Sequence, residues 1–179
     1  MKDTKLNLNW LRQVALFLFA CLIIFYQLIP FSLIPGELPS PDIMFCVVCI
    51  FIIRRPEIVP FWLIVLIYFT FDVFQSKPLG VWTACVLIVT EVLRANRDAF
   101  RENLFPFEWI TISMIFVLAL CAKQTLLAMS IVETPPVSNL LWELIFTILA
   151  YPIVFFIIAY ILRVRKPALG EFDVKGQKI

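Results

Sequence analysis

Long stretches without charged side chains are the feature that most restricts how this chain can fold. Residues 13–34 contain no charged residue, and residues 109–132 and 140–162 contain one each, Lys123 and Glu143. A helix needs about 20 mainly apolar residues to cross a bilayer. Of all residues, 62% are hydrophobic and only 16% are charged, whereas soluble domains have about 25% charged residues. The sequence therefore predicts an integral membrane protein, because a water-soluble fold of this length could not bury so much apolar surface.

The apolar runs predict an all-α fold, a compact bundle of six transmembrane helices. Residues 1–165 would form this domain, and residues 166–179 would form a cytoplasmic tail. The second and fourth spans are shorter than a bilayer requires, and we expect burial among neighbours, dipping loops or local membrane thinning to accommodate them. The predicted spans are 13–34, 41–53, 57–74, 79–93, 109–132 and 140–162.

The distribution of basic residues predicts the orientation of the bundle. With six spans and both termini in the cytoplasm, all but two of the 15 Lys and Arg residues fall on the cytoplasmic side. The exceptions are Lys77, in an outer loop, and Lys123, within the fifth span. This asymmetry follows the positive-inside rule, and it is lost if one span is removed. The cytoplasmic basic face would comprise Arg94, Arg97, Arg101, Arg163, Arg165 and Lys166.

The longest polar connection, residues 94–108, has a helical pattern. Arg94, Arg97 and Arg101 are spaced as on one face of a helix, with Phe100 and Leu104 available to another face. One interpretation is a short interfacial helix beside anionic lipid. The other is a docking surface for a cytoplasmic protein.

Charged side chains within spans are costly and indicate function or specific packing. Lys123 lies inside the fifth span, Glu143 near the outer end of the sixth, and Asp72 near the outer end of the third. We expect a polar cluster of Lys123, Glu143 and Asp72 in the outer leaflet, with Gln27 as a further candidate. Asp72 would either anchor Lys123 or cap the turn that follows the third span. Such a cluster could be an ion pair that locks helices, a site for a small ligand or lipid head group, or a contact with a partner protein.

The residues do not indicate catalysis or a cofactor. The chain has no His, so it lacks the commonest general base and metal ligand. Cys46-Val-Val-Cys49 has the spacing of a redox or zinc motif, but it lies within an apolar run and is interpreted as packing. The chain has only four glycines, and they do not form the pattern of a phosphate-binding loop. The basic residues follow the membrane face, which argues against nucleic-acid binding.

Between residues 41 and 80 the sequence resembles the MreD family of bacterial rod-shape-determining membrane proteins. A Pro-Asp pair opens a short helix, a basic-Pro junction follows, and an apolar span ends in Asp, a short spacer and Leu-Gly. Pro56 is expected in the first turn of the third helix. The residues that carry the resemblance are Pro41, Asp42, Arg55, Pro56, Asp72, Pro78, Leu79 and Gly80.

The resemblance implies a non-enzymatic component of the lateral cell-wall elongation complex in the bacterial inner membrane. Its direct partner would be MreC, held mainly by packing of the MreC transmembrane helix. The elongation transpeptidase, the glycosyltransferase and MreB would belong to the wider complex, and membrane lipids would surround it. Cytoplasmic arginines would set the orientation and could contact MreB.

The family is similar in fold to the substrate-binding subunits of energy-coupling-factor vitamin transporters, which defines an alternative function. Such a subunit is expected to carry small residues four apart on its first helix, for close contact with its transporter partner. Here Ala15 and Ala20 are separated by Leu and Phe residues. The sequence therefore favours the shape-complex interpretation over a vitamin transporter.

Overall fold

The computed structural model describes residues 2–28, 40–74, 78–102, 104–130 and 136–161, and within these residues it confirms an all-helical fold without strands. Three helices contain segments long and apolar enough to cross a membrane: Asn9–Gln27, Phe105–Met129 and Val137–Tyr160. The helices are α1 (Lys2–Leu28), α2 (Ile43–Arg54), α3 (Phe61–Phe74), α4 (Val81–Ala95), α5 (Arg97–Glu102), α6 (Phe105–Met129) and α7 (Val137–Ile161).

The short helix α2 forms the centre of the bundle. Every residue from Met44 to Arg54 is buried, including the two cysteines of the Cys46-Val-Val-Cys49 pattern. Both cysteines are free thiols, and in the described part of the chain no group of His, Cys, Asp or Glu residues could hold a metal ion. The 12 residues of α2 rise about 18 Å, well short of a bilayer core of about 30 Å.

Contacts at the two ends of α2 define two ends of the bundle, which we name the Asp42 end and the Arg54 end. Asp42 precedes the first residue of α2, and Arg54 is its last residue. At the Asp42 end lie the last turns of α1 and α3, the first turn of α4 and, in the N-terminal half of α7, Thr147. At the Arg54 end, Arg54 meets the first turn of α6, and Arg94 at the end of α4 meets the turn before α3. The six longer helices therefore alternate in direction.

Two junctions differ from the sequence predictions. Pro56 does not lie in the first turn of α3 but opens a separate 3₁₀ turn, Pro56–Ile58. Pro60 follows, and α3 begins only at Phe61, because a residue before proline is disfavoured in helical conformation. The arginine face of residues 94–101 is divided, since α4 ends at Ala95 and a new helix begins at Arg97. Asn96 separates them by donating both its backbone and side-chain N–H groups to the Val92 carbonyl.

The outward faces of the long helices are apolar. Leu18, Leu22 and Phe25 project from α1, and Ile153 and Phe156 project from α7, all at least 60% exposed. These apolar surfaces are the opposite of the polar surfaces that soluble proteins expose to water, and they suit a hydrocarbon environment.

Exposed aromatic residues lie near both ends of the apolar segments of α1 and α7. Trp10 and Tyr26 are exposed on α1, and Trp142 and Tyr160 are exposed on α7. The helical rise between the members of each pair is about 24 Å and about 27 Å. Trp and Tyr are enriched at the two interfaces of a bilayer, and these spacings match its hydrocarbon thickness.

Helix α7 contains Pro152. A proline within a helix lacks the N–H that would bind the carbonyl four residues earlier, here that of Ile148. The structure supplies a substitute donor from the neighbouring helix, since Trp109 Nε1 on α6 donates to the Ile148 oxygen at 3.0 Å. This bond satisfies the freed carbonyl, as spanning helices require, and it joins α6 to α7.

Removal of the Trp109 donor is therefore expected to weaken the bundle only while Pro152 is present. Trp109→Phe should lower the free energy of unfolding in detergent by about 1 kcal/mol, because the Ile148 carbonyl loses its partner. In a Pro152→Ala background the helix supplies its own N–H, and the same change should cost clearly less. Unfolding of the four variants in a denaturant titration measures this coupling, and equal costs in both backgrounds would disprove the explanation.

Candidate functional site: buried polar groups at two ends of the bundle

Asp42 joins three helices at the Asp42 end. Its side chain accepts from the Phe45 backbone N–H at 2.9 Å, which caps α2, and from Trp82 Nε1 of α4 at 3.1 Å. Its own backbone N–H donates to Thr147 Oγ1 of α7 at 3.0 Å. Asp42 is buried, so the favourable charge at the α2 N-terminus and these donors offset the loss of water.

Asp72 caps a helix to which it does not belong. Gly80 is the N-cap residue of α4 and has no side chain to accept the free N–H groups of the first turn. Asp72 Oδ2, at the end of α3, accepts from Gly80 N at 3.0 Å, Thr83 N at 3.4 Å and Thr83 Oγ1 at 2.8 Å. Gly80 adopts φ +84°, a conformation that disfavours any residue with a Cβ. The Asp-to-Gly spacing in the sequence therefore has a physical reason.

Trp82 connects the two caps. It lies one residue before Thr83, its indole N–H binds Asp42, and its ring packs against Phe45 and Phe116 with centroid separations of 6.2 Å each. The structure thus brings together Asp42 and the Asp72–Gly80 segment, which are separated in the sequence by an entire hairpin. We name this unit, comprising Asp42, Asp72, Gly80, Trp82 and Thr83, the capping corner.

Lys123 and Glu143 form an ion pair between α6 and α7. Lys123 Nζ lies 3.8 Å from Glu143 Oε1 and 5.0 Å from the centroid of the Trp82 ring. Asp72 makes its hydrogen bonds to α4, while Gln27 donates to the Pro41 carbonyl at 3.4 Å. The expected cluster therefore divides into the Lys123–Glu143 pair, the Asp72 cap of α4 and a separate Gln27 bond. Trp82, in the helix that Asp72 caps, contacts Lys123.

The remaining sequence-predicted site residues are distributed as follows. Pro41 and Pro78 are half-buried beside the capping corner, whereas Leu79 is exposed. Arg55 is exposed at the Arg54 end. Arg94 donates to the Val59 carbonyl at 2.9 Å and pairs with Glu91 at 3.5 Å, and Arg97 is half-buried. The side chain of Arg101, and all of Arg163, Arg165 and Lys166, lie outside the described residues.

Sequence reasoning missed a second buried site at the Arg54 end. Glu108 of α6 is fully buried, accepts from Tyr151 Oη at 2.9 Å and lies 3.9 Å from Arg54 Nη2. The Arg54 guanidinium also lies over the Phe155 ring, 4.4 Å from its centroid. The predicted spans place Arg54 in the connection between the second and third spans, and Glu108 at the end of the polar connection 94–108. The available signal was the four-residue spacing of Glu143, Thr147 and Tyr151, which aligns polar groups along one face of α7.

Comparison of the chain with protein-family models, with characterised proteins and with solved structures gives no significant match to any of them.

Loss of the Asp72 carboxylate is expected to destabilise the bundle strongly. Asp72→Ala leaves the three donors from Gly80 and Thr83 without an acceptor in a buried place, at a cost of about 2–3 kcal/mol. Gly80→Ala should cost about 1 kcal/mol through its left-handed backbone alone. Denaturant titration in detergent measures both, with exposed Asp98→Ala as control. An Asp72→Ala cost equal to that of the control would contradict the capping role.

The Arg54–Glu108–Tyr151 site gives a second test. Glu108→Gln removes the carboxylate charge that lies 3.9 Å from the buried guanidinium and should cost about 3–5 kcal/mol. Tyr151→Phe removes one hydrogen bond and should cost about 1–2 kcal/mol. The same unfolding titration ranks the two changes, and the opposite order would show that the ion pair at 3.9 Å contributes little.

Proposed function

We propose that this protein is a non-enzymatic membrane component of the bacterial cell-elongation complex, of the MreD type, and that it binds MreC. It would lie in the inner membrane as six spans with both termini in the cytoplasm. In this role it would help to organise lateral peptidoglycan synthesis together with the elongation transpeptidase, the glycosyltransferase and MreB.

The capping corner is the observation that carries this proposal. The residues on which the resemblance rests, Pro41-Asp42 and Asp72 to Gly80, lie far apart in the sequence. In the structure they meet at one end of the bundle, where Trp82 of α4 donates to Asp42 and Thr83 of α4 donates to Asp72. The separate parts of the motif form one hydrogen-bonded unit and so have a common physical basis. This supports a resemblance in fold, and not merely a match of short, isolated residue pairs.

Helix direction and charge support the six-span arrangement. The six longer helices alternate in direction, and Arg55, Arg94 and Arg97 all belong to the Arg54 end. The positive-inside rule would place that end in the cytoplasm and the capping corner at the outer face. The short α2 would cross because its neighbours surround it, and not because it meets lipid along its length.

The exterior of the bundle supports docking of a transmembrane helix. Helices α1, α3 and α7 present exposed apolar side chains along their lengths. In lipid these faces gain no hydrophobic free energy by meeting another helix, so packing and interhelical hydrogen bonds would supply the binding free energy. In contrast, the rings of Phe45, Trp82 and Phe116 fill the centre of the bundle in tilted and edge-to-face contacts, which favours a scaffold over a vitamin-transporter subunit.

Recovery of partners from membranes tests the proposal. Affinity-tagged protein, purified in mild detergent from its native host and analysed by mass spectrometry, should bring down MreC. If the capping corner forms the surface that an outer-side partner meets, Asp72→Ala should reduce recovery of MreC and disturb rod shape.

The control for this experiment is Asp98→Ala, an exposed carboxylate on α5, which should leave recovery and shape unchanged. Recovery of transporter ATPases in place of MreC would refute the proposed function. Unchanged MreC recovery with Asp72→Ala, at matched protein levels, would remove the capping corner from the interface while leaving the complex itself supported.

A further inference from the structure

Helix α3 presents a short apolar stripe on the outside of the bundle. Its exposed residues include Trp62, Leu66, Phe69 and Val73, which follow one another along one helix face and are between 44% and 53% exposed. From Trp62 to Val73 the stripe rises about 17 Å, and the whole helix, Phe61–Phe74, rises about 20 Å. A hydrocarbon core is about 30 Å thick, so this face is about 10 Å too short.

Polar residues bound the stripe at both ends. Arg55 and Glu57, in the turn before α3, are exposed, whereas Ile58 and Val59 are buried and add no surface toward lipid. After the helix the sequence continues with Gln-Ser-Lys at residues 75–77. Burial among neighbours accommodates the short helix α2, but the outer face of α3 is uncovered in the part of the chain that the structure describes.

The outer face of the neighbouring helix α4 is short in the same way. Ala84, Ile88 and Glu91 are exposed at intervals of four and three residues, which places them on one face. The Glu91 side chain is 52% exposed, and it lies only about 15 Å along the axis from the first residue of α4, Val81. A carboxylate is costly beside lipid chains, so Glu91 marks a polar boundary. Helices α3 and α4 therefore indicate the same reduced thickness independently.

The side of the bundle formed by α6 and α7 is longer. Helix α3 packs against α1 and α4, while α6 and α7 pack against each other. Exposed apolar side chains extend from Phe107 to Met129 on α6, a rise of about 33 Å, and from Trp142 to Tyr160 on α7, about 27 Å. An average tilt of about 20° shortens such a span by only about 6%. Tilt therefore does not remove the difference from α3.

We propose that the outer surface of α3 and α4 thins the bilayer locally and fits phospholipids with short acyl chains. Chains of ordinary length would lie against the charged groups of Arg55, Glu57 and Glu91, and a thinner bilayer avoids this contact. Beside α6 and α7 the bilayer keeps its ordinary thickness. We name the short surface the thin face; it comprises Trp62, Leu66, Phe69, Val73, Ala84 and Ile88.

This inference goes beyond the proposed function, because its ligand is lipid and not a protein. It rests on that function only in taking α3 and α4 as helices that cross the membrane. The test uses purified protein without MreC, so a result that overturns the inference leaves the partner-recovery experiment unaffected. The outer faces of α1 and α7 stay available to a transmembrane partner.

Tryptophan quenching measures lipid preference at two places on the protein. The double variant Trp10→Phe/Trp142→Phe keeps Trp62 on the thin face, and Trp10→Phe/Trp62→Phe keeps Trp142 on α7. Trp82 and Trp109 are present in both variants and contribute equally. Each protein is reconstituted in brominated dioleoyl phosphatidylcholine mixed with unlabelled dioleoyl or short-chain dimyristoleoyl phosphatidylcholine. The loss of quenching gives the relative affinity of each site for the short lipid.

We expect the short lipid to be favoured about two- to threefold over the dioleoyl lipid at Trp62, because it matches the thin face, and not to be favoured at Trp142. Equal preferences at the two sites, or a preference for the dioleoyl lipid at Trp62, would overturn the proposal. Absence of quenching at Trp62 would show that a second copy of the chain covers the face, and it would overturn the proposal as well.

A variant assigns the preference to the polar boundary. Glu91→Leu extends the apolar face of α4 toward the Arg54 end, and it should lower the preference at Trp62 toward the value at Trp142. Asp98→Ala, which removes an exposed carboxylate of α5, is the matched control and should keep the full preference. An unchanged preference in the correctly folded Glu91→Leu protein, or its loss in Asp98→Ala, would refute the boundary on which the proposal depends.

Discussion

The structure depends on the requirement that polar groups buried in a membrane find partners within the protein. Asp42 and Asp72 meet it at one end of the bundle by accepting from the free N–H groups of α2 and α4. Helix N-termini carry both unpaired donors and partial positive charge, so a carboxylate is the natural group to place there. Each carboxylate also binds a side chain of α4, Trp82 or Thr83. The order of helices α2, α3, α4 and α7 at this end follows from these few bonds.

The same requirement explains the other end of the bundle and the proline in α7. Arg54 and Glu108 are both buried, and Tyr151 and Phe155 complete their surroundings. Trp109 gives its indole N–H to the carbonyl that Pro152 leaves free. Apolar packing alone does not select among helix arrangements in lipid, because the lipid chains are equally apolar. These polar contacts, placed at two levels along α2, therefore specify which helices are neighbours and in which direction they run.

This division of roles bears on function. The capping corner is internally satisfied except for Asp72 Oδ1, so its residues are fixed in position and make the corner rigid. The Lys123–Glu143 pair is different, since its groups lie beyond hydrogen-bond distance of one another. The two units therefore differ: the caps fix the joint between α3 and α4, whereas the ion pair joins α6 to α7 without a hydrogen bond. The role proposed above would need the fixed joint that the capping corner supplies.

The sequence by itself determined the helical class, the membrane character of the long helices and the location of Lys123 and Glu143 within apolar helices, because apolar run length and charge are local properties. The Glu91–Arg94 pair is local in the same sense, since its two residues lie within one helix turn. The tertiary structure alone decided that Asp72 caps α4 instead of meeting Lys123, and that Arg54 is buried against Glu108. It likewise decided that Trp82 joins Asp42 to Lys123. These pairings join residues that are far apart in the chain, and they depend on helix rotation and depth, which no local pattern of residues specifies.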